Sequence, residues 1–460
     1  MADQMKTQSF GAGLNFTAGA ELFERLHKTL IQGILDGFKH PVNCEPYNWV
    51  AVYYLTLCLL LITSCQNTQK IDSNGEIYVL DVVQGQKNLV KKNLTDIKSN
   101  IRYIQLETAE NCLIGNRINK VYVEDNKIFI NDNEPSLKVF DANTGKYLYN
   151  IGRRGQGPGE LPYLSHVDMN VKEKIIVLGW GKILKYNFEG KYLKDITLPN
   201  LPASDSTEII WNNVVILDEN LYSVGVYTLS DHQVNAAVIF DEQSNIVSTL
   251  KSYDDYIQHH TIKTFSALDQ SGFYYKSIDR IHFYRGICDT VYEYNPSTRG
   301  FDPYFCFNFG KHRRSRYYDN VDTNNKDEIS VQKLSENERF IFIDFRTLKA
   351  STEPFEDYFY REGQIVKYVN NYVYAIYDKQ TSNFSFLLQP VKGIRGLVND
   401  IDNGLPFWPK YISSKNEFVD YMQAFDFVEK ATKITNPDDS FKKLMERVDE
   451  EDNPIIIIAY

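Results

Sequence analysis

The chain has 460 residues, 43% of them hydrophobic and 24% charged, enough for one large domain or two to three ordinary ones. A formal net charge of −10 excludes a typical nucleic-acid backbone binder, which draws its affinity from clustered Lys and Arg. The one short basic run, K-H-R-R-S-R at 311–316, reads as a solvated loop. Six cysteines with no C-x-x-C pair exclude a zinc ribbon or a thioredoxin-type site.

Taken in chain order, residues 1–48 form an extension of uncertain status, in which 21–38 carry the apolar spacing of a helix at Leu22, Leu26, Leu30 and Ile34. Residues 49–65 are a nearly uncharged apolar run ending in cysteine. As a helix, 49–64 would span about 24 Å, short of the roughly 30 Å hydrocarbon core. The run therefore reads as the apolar part of a signal peptide, although 48 residues precede it where a short basic segment is usual. Its last four residues, Ile62-Thr63-Ser64-Cys65, resemble a bacterial lipobox. That resemblance implies lipidation of Cys65 and attachment to a membrane, with 66–75 as a tether.

From residue 76 onward strand signals dominate. Aromatic residues make up 14% of the chain, including 32 Tyr and 27 Phe, and favour strands. Residues 76–83 and 101–106 are the first strand-like runs. Residues 120–124 and 127–131 form a hairpin around Asp125-Asn126, and 137–141 with 147–151 form the next around Asn143-Thr144-Gly145. Residues 151–160 follow, I-G-R-R-G-Q-G-P-G-E, a stretch too rich in Gly and Pro for a helix interior. The hairpin pattern then repeats: K-I-F-I…L-K-V-F-D-A-N-T-G-K-Y-L aligns with K-I-I-V…I-L-K-Y-N-F-E-G-K-Y-L, with Lys127 and Lys174 47 residues apart. Looser copies occur at 221–250, 273–309 and 340–388.

A period near 45 built from short strands is the signature of propeller blades, whose two apolar faces are buried only when blades stack in a ring. The 385 residues from 76 to 460 hold six to eight blades, and several long connections favour six. The expected fold is thus an all-β, six-bladed β-propeller over 76–460. A short helix is expected at 438–449, after Asn436-Pro437. The last strand, 453–460, is expected to share a blade with the N-terminal strand and close the ring.

The turn R-R-G-Q-G-P-G-E is similar to an element of NHL-type propellers. With Y-I-Q-L-E-T at 103–108, N-G-L-P-F-W-P at 403–409 and D-N-P-I at 452–455, the chain resembles the six-bladed β-propeller lipoproteins of Bacteroidota-type bacteria. The resemblance covers about 74–460. It implies the fold and a lipid-anchored place in the cell envelope, and it implies no catalytic residue.

The residues point to little chemistry. No G-K-[ST] follows the Gly-rich turn, and Pro158 would stop the helix that a dinucleotide site needs. The turn reads as architecture, with Gly155, Gly157, Pro158 and Gly159 shaping the backbone and Arg153 or Arg154 paired with Glu160. Neither His259-His260, His282 nor His312 lies in a metal-ligand spacing, so no metal or cofactor is expected. Aromatics are the best binding candidates: Tyr274, Tyr275, Phe407 and above all Trp408, which prolines flank in a loop-like setting. The preferred expectation is an envelope module binding a glycan, peptide or protein. The alternative is a hydrolase or lyase in the central channel, and the fold does not decide between them.

Overall fold

The computed structural model describes residues 77–179, 181–201, 209–228, 235–251, 272–286, 289–312, 328–347, 353–361 and 364–460. The expected segments at 1–48, 49–65 (with Cys65) and 66–75 lie outside the described residues, as do Tyr253, His259, His260 and Tyr317.

The described chain is a six-bladed β-propeller. It begins outside the repeat, with β1 (Tyr78–Asp81), a single helical turn α1 (Val82–Gly85), β2 (Leu89–Val90) and β3 (Ile101–Gln105). The first blade is β4 (Lys120–Glu124), β5 (Lys127–Asn131), β6 (Leu137–Asp141) and β7 (Tyr147–Ile151), in sheet order. The second is β8 (His166–Asn170), β9 (Ile175–Gly179), β10 (Ile183–Asn187) and β11 (Tyr192–Ile196). These are the two aligned copies in the sequence. Asp125 and Asn126 both take positive φ (50° and 57°), the geometry that a two-residue hairpin requires.

The third blade is β12 (Ile209–Asp218), β13 (Leu221–Thr228), β14 (Asn235–Asp241) and β15 (Ile246–Lys251). The fourth is β16 (Gly272–Ser277), β17 (Arg280–Arg285), β18 (Thr290–Asn295) and β19 (Gly300–Asn308), with β1 added in parallel to its outer edge. The fifth is β20 (Ser330–Glu336), β21 (Phe340–Arg346), β24 (Tyr372–Asp378) and β25 (Asn383–Leu387), with β2 on its outer edge. A separate hairpin, β22 (Phe355–Arg361) and β23 (Gln364–Asn370), interrupts it.

The sixth blade is β26 (Tyr411–Ile412), β27 (Phe418–Met422), the C-terminal β28 (Ile455–Ala459) and β3. Ile457 lies opposite Tyr103 in this register, so the chain's last strand pairs with an early one and closes the ring. Residues 77–90 run elsewhere, across the rims of the fourth and fifth blades. Between β27 and β28 lie α2 (Ala424–Ala431), which the sequence pattern did not reveal, and α3 (Asp439–Met445), shorter than the expected 438–449.

The core is divided among the six seams between blades. The seam between the fifth and sixth is extensive, holding Phe342, Trp408, Phe418, Phe427 and Phe441. The seam between the third and fourth is built from Ala236, Ala237, Leu250 and Phe283. Burial of such faces is what makes a ring of blades stable when one blade alone is not.

Candidate ligand-binding channel

The innermost strands surround the ring axis, and each shows one face to the blade before it and the other to the blade after. On β4, Val121 and Val123 enter the seam with the sixth blade, while Tyr122 enters the seam with the second. On β8, Val167 and Met169 turn back to the first blade. Asp168, on the other face, accepts the Ile216 N–H of the third blade at 2.7 Å. With apolar and aromatic residues committed to the seams, polar side chains of these strands reach the axis. They line a cavity of about 1060 Å³ to which all six blades contribute.

Two of the five carboxylates there, Asp168 and Glu124, tie blades together. Asp168 also accepts from Lys276 Nζ at 2.6 Å, joining the second, third and fourth blades, and Lys276 donates further to Met169 O at 2.8 Å. Glu124 accepts Tyr411 Oη at 2.6 Å, Ser414 N at 2.7 Å and Ser414 Oγ at 2.5 Å, latching the first blade to the sixth. Burial nonetheless raises its carboxyl above the ordinary value. Lys410 pairs with Asp420 at 2.8 Å. Burial works against the Lys410 charge, but Asp420, Tyr421 and Tyr374 outweigh it and hold the ammonium above its ordinary value. His166 accepts Asn213 N at 3.4 Å and is pushed down to about 4 by burial and by Lys120, so it is neutral at pH 7.

Two lysines differ. Lys333 lies opposite Asp344 in the β20–β21 register, yet it makes no hydrogen bond or ion pair with any described residue. Asp344 instead accepts Trp408 Nε1 at 2.6 Å, and burial raises its carboxyl. Burial lowers Lys333 to about 8; Asp344 and Asp420 oppose this, while Lys410 and Lys120 add to it. Among the described residues Lys120 has only the ring of Tyr122 beneath it, at 4.9 Å; burial lowers its ammonium too, against the pull of Asp168 and aided by Lys276. Among the described residues no three His, Cys, Asp or Glu side chains group to hold a metal ion.

The aromatic candidates fare differently from the sequence expectation. Trp408 is 2% exposed and Phe407 1%, so neither is a surface aromatic. The loop around them folds inward because Leu397 and Phe407 exchange backbone hydrogen bonds at 2.7 and 3.1 Å. Trp408 then stacks on Tyr374, with ring centres 4.2 Å apart and planes 4° apart. Tyr274 and Tyr275 do border the cavity, but both are held by the scaffold. Tyr274 Oη lies 2.8 Å from Ser223 Oγ, and Tyr275 donates to Glu336 at 2.9 Å while stacking on His282.

The Gly-rich turn joins β7, the outer strand of the first blade, to β8, the inner strand of the second, and does not line the cavity. Arg153 Nε lies 2.8 Å from Glu160 Oε1, and Gly157 N donates to Glu160 Oε2 at 3.0 Å. Gly155 has φ +157°, and a Cβ there would sit 1.9 Å from that same oxygen. Arg154 reaches Glu134 at 3.5 Å, and Tyr186 donates to the Gly159 carbonyl at 2.6 Å. Pro158 lies within the same tight segment.

Sequence reasoning passed over Lys120, Lys276, Lys333 and Lys410. The available signal was their position: three fall on the first strand of a blade and the fourth just before one, where a buried strand has little use for a charge.

A family model matches residues 77–460. The chain belongs to the family described as a domain of unknown function, DUF4934. No curated protein matches the sequence. Among solved structures, the chain is similar to a protein provisionally described as exported, from Bacteroides fragilis NCTC 9343. The two share 18% identity at a TM-score of 0.56, over 84% of this chain and 99% of that one. It is also similar to a member of the DUF4221 family from Bacteroides vulgatus ATCC 8482, at 8% identity and a TM-score of 0.43, over 79% of this chain and 96% of the other. At 18% identity the likeness to the B. fragilis protein concerns the fold alone.

Proposed function

We propose that this member of the family is a lipid-anchored propeller of the bacterial cell envelope that works as a binding module, taking its ligand in the axial channel. The observation that carries the binding role is the cavity of about 1060 Å³, bordered by charged as well as apolar side chains and built from all six blades. The anchor rests on Ile62-Thr63-Ser64-Cys65, and the exported description of the B. fragilis relative agrees with it. The ligand is a glycan, a peptide or an exposed segment of a protein.

A panel of neutral and charged sugars, peptides and organic acids, screened by thermal shift on the full-length chain, tests the binding role. A ligand that raises the melting temperature should lose its effect in Asn213→Ala and keep it in Lys367→Ala, which alters the outer hairpin. A ligand unaffected by every cavity substitution would remove the channel from the reading. For the anchor, Cys65→Ser should abolish lipid labelling, and a variant still held at the membrane would refute it. One observation favours the alternative of a channel hydrolase or lyase: a lysine lowered to about 8 inside a cavity suits a general base. Turnover of a bound ligand, lost in Lys333→Met, would establish that reading.

A further inference from the structure

We infer that the channel ligand is an anion, and that its carboxylate or phosphate group is bound by the ammonium groups of Lys120 and Lys333. The inference rests on the channel being the binding site, as proposed above, and names the chemistry it selects.

Three observations converge on it. The first is the lining. Seven basic side chains against five carboxylates border the cavity, a positive balance in a chain whose net charge is −10. A cavity of that sign concentrates anions by focusing the field in a low-dielectric space.

The second is how this protein treats buried and half-buried lysines elsewhere. Lys138 pairs with Asp132 at 2.7 Å, Lys185 with Glu242 at 2.7 Å and Lys379 with Glu336 at 2.5 Å. The channel follows the same rule for Lys276 and Lys410, which hold Asp168 and Asp420. Lys120 and Lys333, both half-buried, break it, although a charge partly withdrawn from water without a partner is costly.

The third is that the nearby carboxylates are already engaged. Glu124 holds Tyr411 and Ser414, Asp168 holds Lys276 and the Ile216 amide, and Asp344 holds the Trp408 indole. The scaffold keeps these acids in place: Asp344 and Asp420 attract Lys333, and Asp168 attracts Lys120, but no described carboxylate makes direct contact with either ammonium, which leaves both open to an anion from outside the chain. The cavity is much larger than a phosphate ion, so the anionic group is one end of the ligand.

The test is calorimetric titration of the full-length chain with inorganic phosphate and with citrate, at pH 7 and low salt, against N-acetylglucosamine as an uncharged reference. The two anions separate a phosphate ester from a carboxylic acid as the natural group. At least one should bind with one-to-one stoichiometry, at least tenfold more tightly than the reference. Lys120→Met and Lys333→Met should each weaken it at least tenfold, and Lys367→Met, on the exposed hairpin, should leave it unchanged. Methionine keeps the aliphatic stem, and Lys333→Gln replaces it if that variant does not unfold cooperatively. Citrate binding should also weaken between pH 7 and 9.5, as Lys333 gives up its proton.

Binding that survives both channel substitutions marks an adventitious surface ion and overturns the assignment. So does the failure of both anions to bind. N-acetylglucosamine binding as tightly as the anions, and undisturbed by either substitution, removes the anion while leaving the channel as the binding site. Failure of the whole panel above would remove the channel itself.

Discussion

Asp344 stands between two regions, one made by the fifth and sixth blades and one shared by all six, and they treat polar atoms in opposite ways. On one side is the seam of the fifth and sixth blades, where Trp408 lies against Tyr374 and Phe342, with its single N–H given to Asp344. On the other is the channel, where Lys333 stands opposite the same carboxylate with no hydrogen bond. The seam is finished: every ring has a neighbour, and the indole donor is satisfied. The channel keeps a charge in reserve. Stability is stored between the blades, and the capacity to bind is concentrated at the axis, where side chains from separate blades meet without filling the space.

The largest effect should come from breaking the seam. Trp408→Ala should cost about 3–5 kcal/mol in urea unfolding, from the lost apolar surface, the cavity left behind and the orphaned Asp344. A loss below about 1 kcal/mol would mean that the seam is less closely packed than its stacked rings indicate.

A second test concerns the seam of the fourth and fifth blades, where His282 is fully buried between Tyr275 and Tyr304, with ring centres 4.6 and 4.7 Å away. Burial lowers it from 6.5 to about 4, against the pull of Glu336, and its Nδ1 has no hydrogen-bond partner. The folded value lies below the unfolded one, so the unfolded chain takes up the proton first as pH falls. The stability supplied by the neutral ring is complete above pH 6.5 and drains away toward pH 4, by about 3 kcal/mol at most. His166 in the channel is lowered to the same value and adds to the slope. Denaturation midpoints between pH 7.5 and 4.5 should therefore fall less steeply in His282→Phe than in the parent. Equal slopes would place the titrating group elsewhere.

Ring closure gives a smaller effect. Gly145 has φ +73°, and a Cβ there would sit 2.1 Å from the backbone oxygen of Gln105, on the strand that closes the sixth blade. Gly145→Ala should cost about 1–3 kcal/mol, because backbone cannot swing aside as a side-chain end can. Gly155→Ala, which meets the side chain of Glu160 rather than backbone, should cost less.

The smallest effect should have the opposite sign. Lys333 carries a proton at pH 7 that burial disfavours, so Lys333→Met should be neutral or stabilise by about 1 kcal/mol. A clear destabilisation would show that Lys333 is already satisfied in the free protein, and the contrast between seam and channel would disappear.

Much of the fold was legible in the sequence. The hairpin at Asp125-Asn126, the turns at Gly145 and Gly190 and the alternation of strands such as 127–131 depend on near neighbours in the chain. A second copy 47 residues later made the repeat plain. The inner strands β8, β12 and β20 were harder to see, since the charges and amides they carry at the axis interrupt the apolar pattern that marks a strand. The channel site was not legible for a related reason. Single lysines on separate strands form no motif, and only a ring brings four of them to one cavity.

Trp408 shows the converse. Its sequence setting, with Pro406 and Pro409 on either side, suits an exposed loop as well as a buried one. Nothing within ten residues says that Tyr374 and Phe342 will cover it. Local pattern and turn chemistry determined the strands, the repeat and the six blades, because those depend on the backbone preferences of adjacent residues. The closed ring decided which aromatics are core and which cations share an axis, because that depends on blades that meet only after the chain has come full circle.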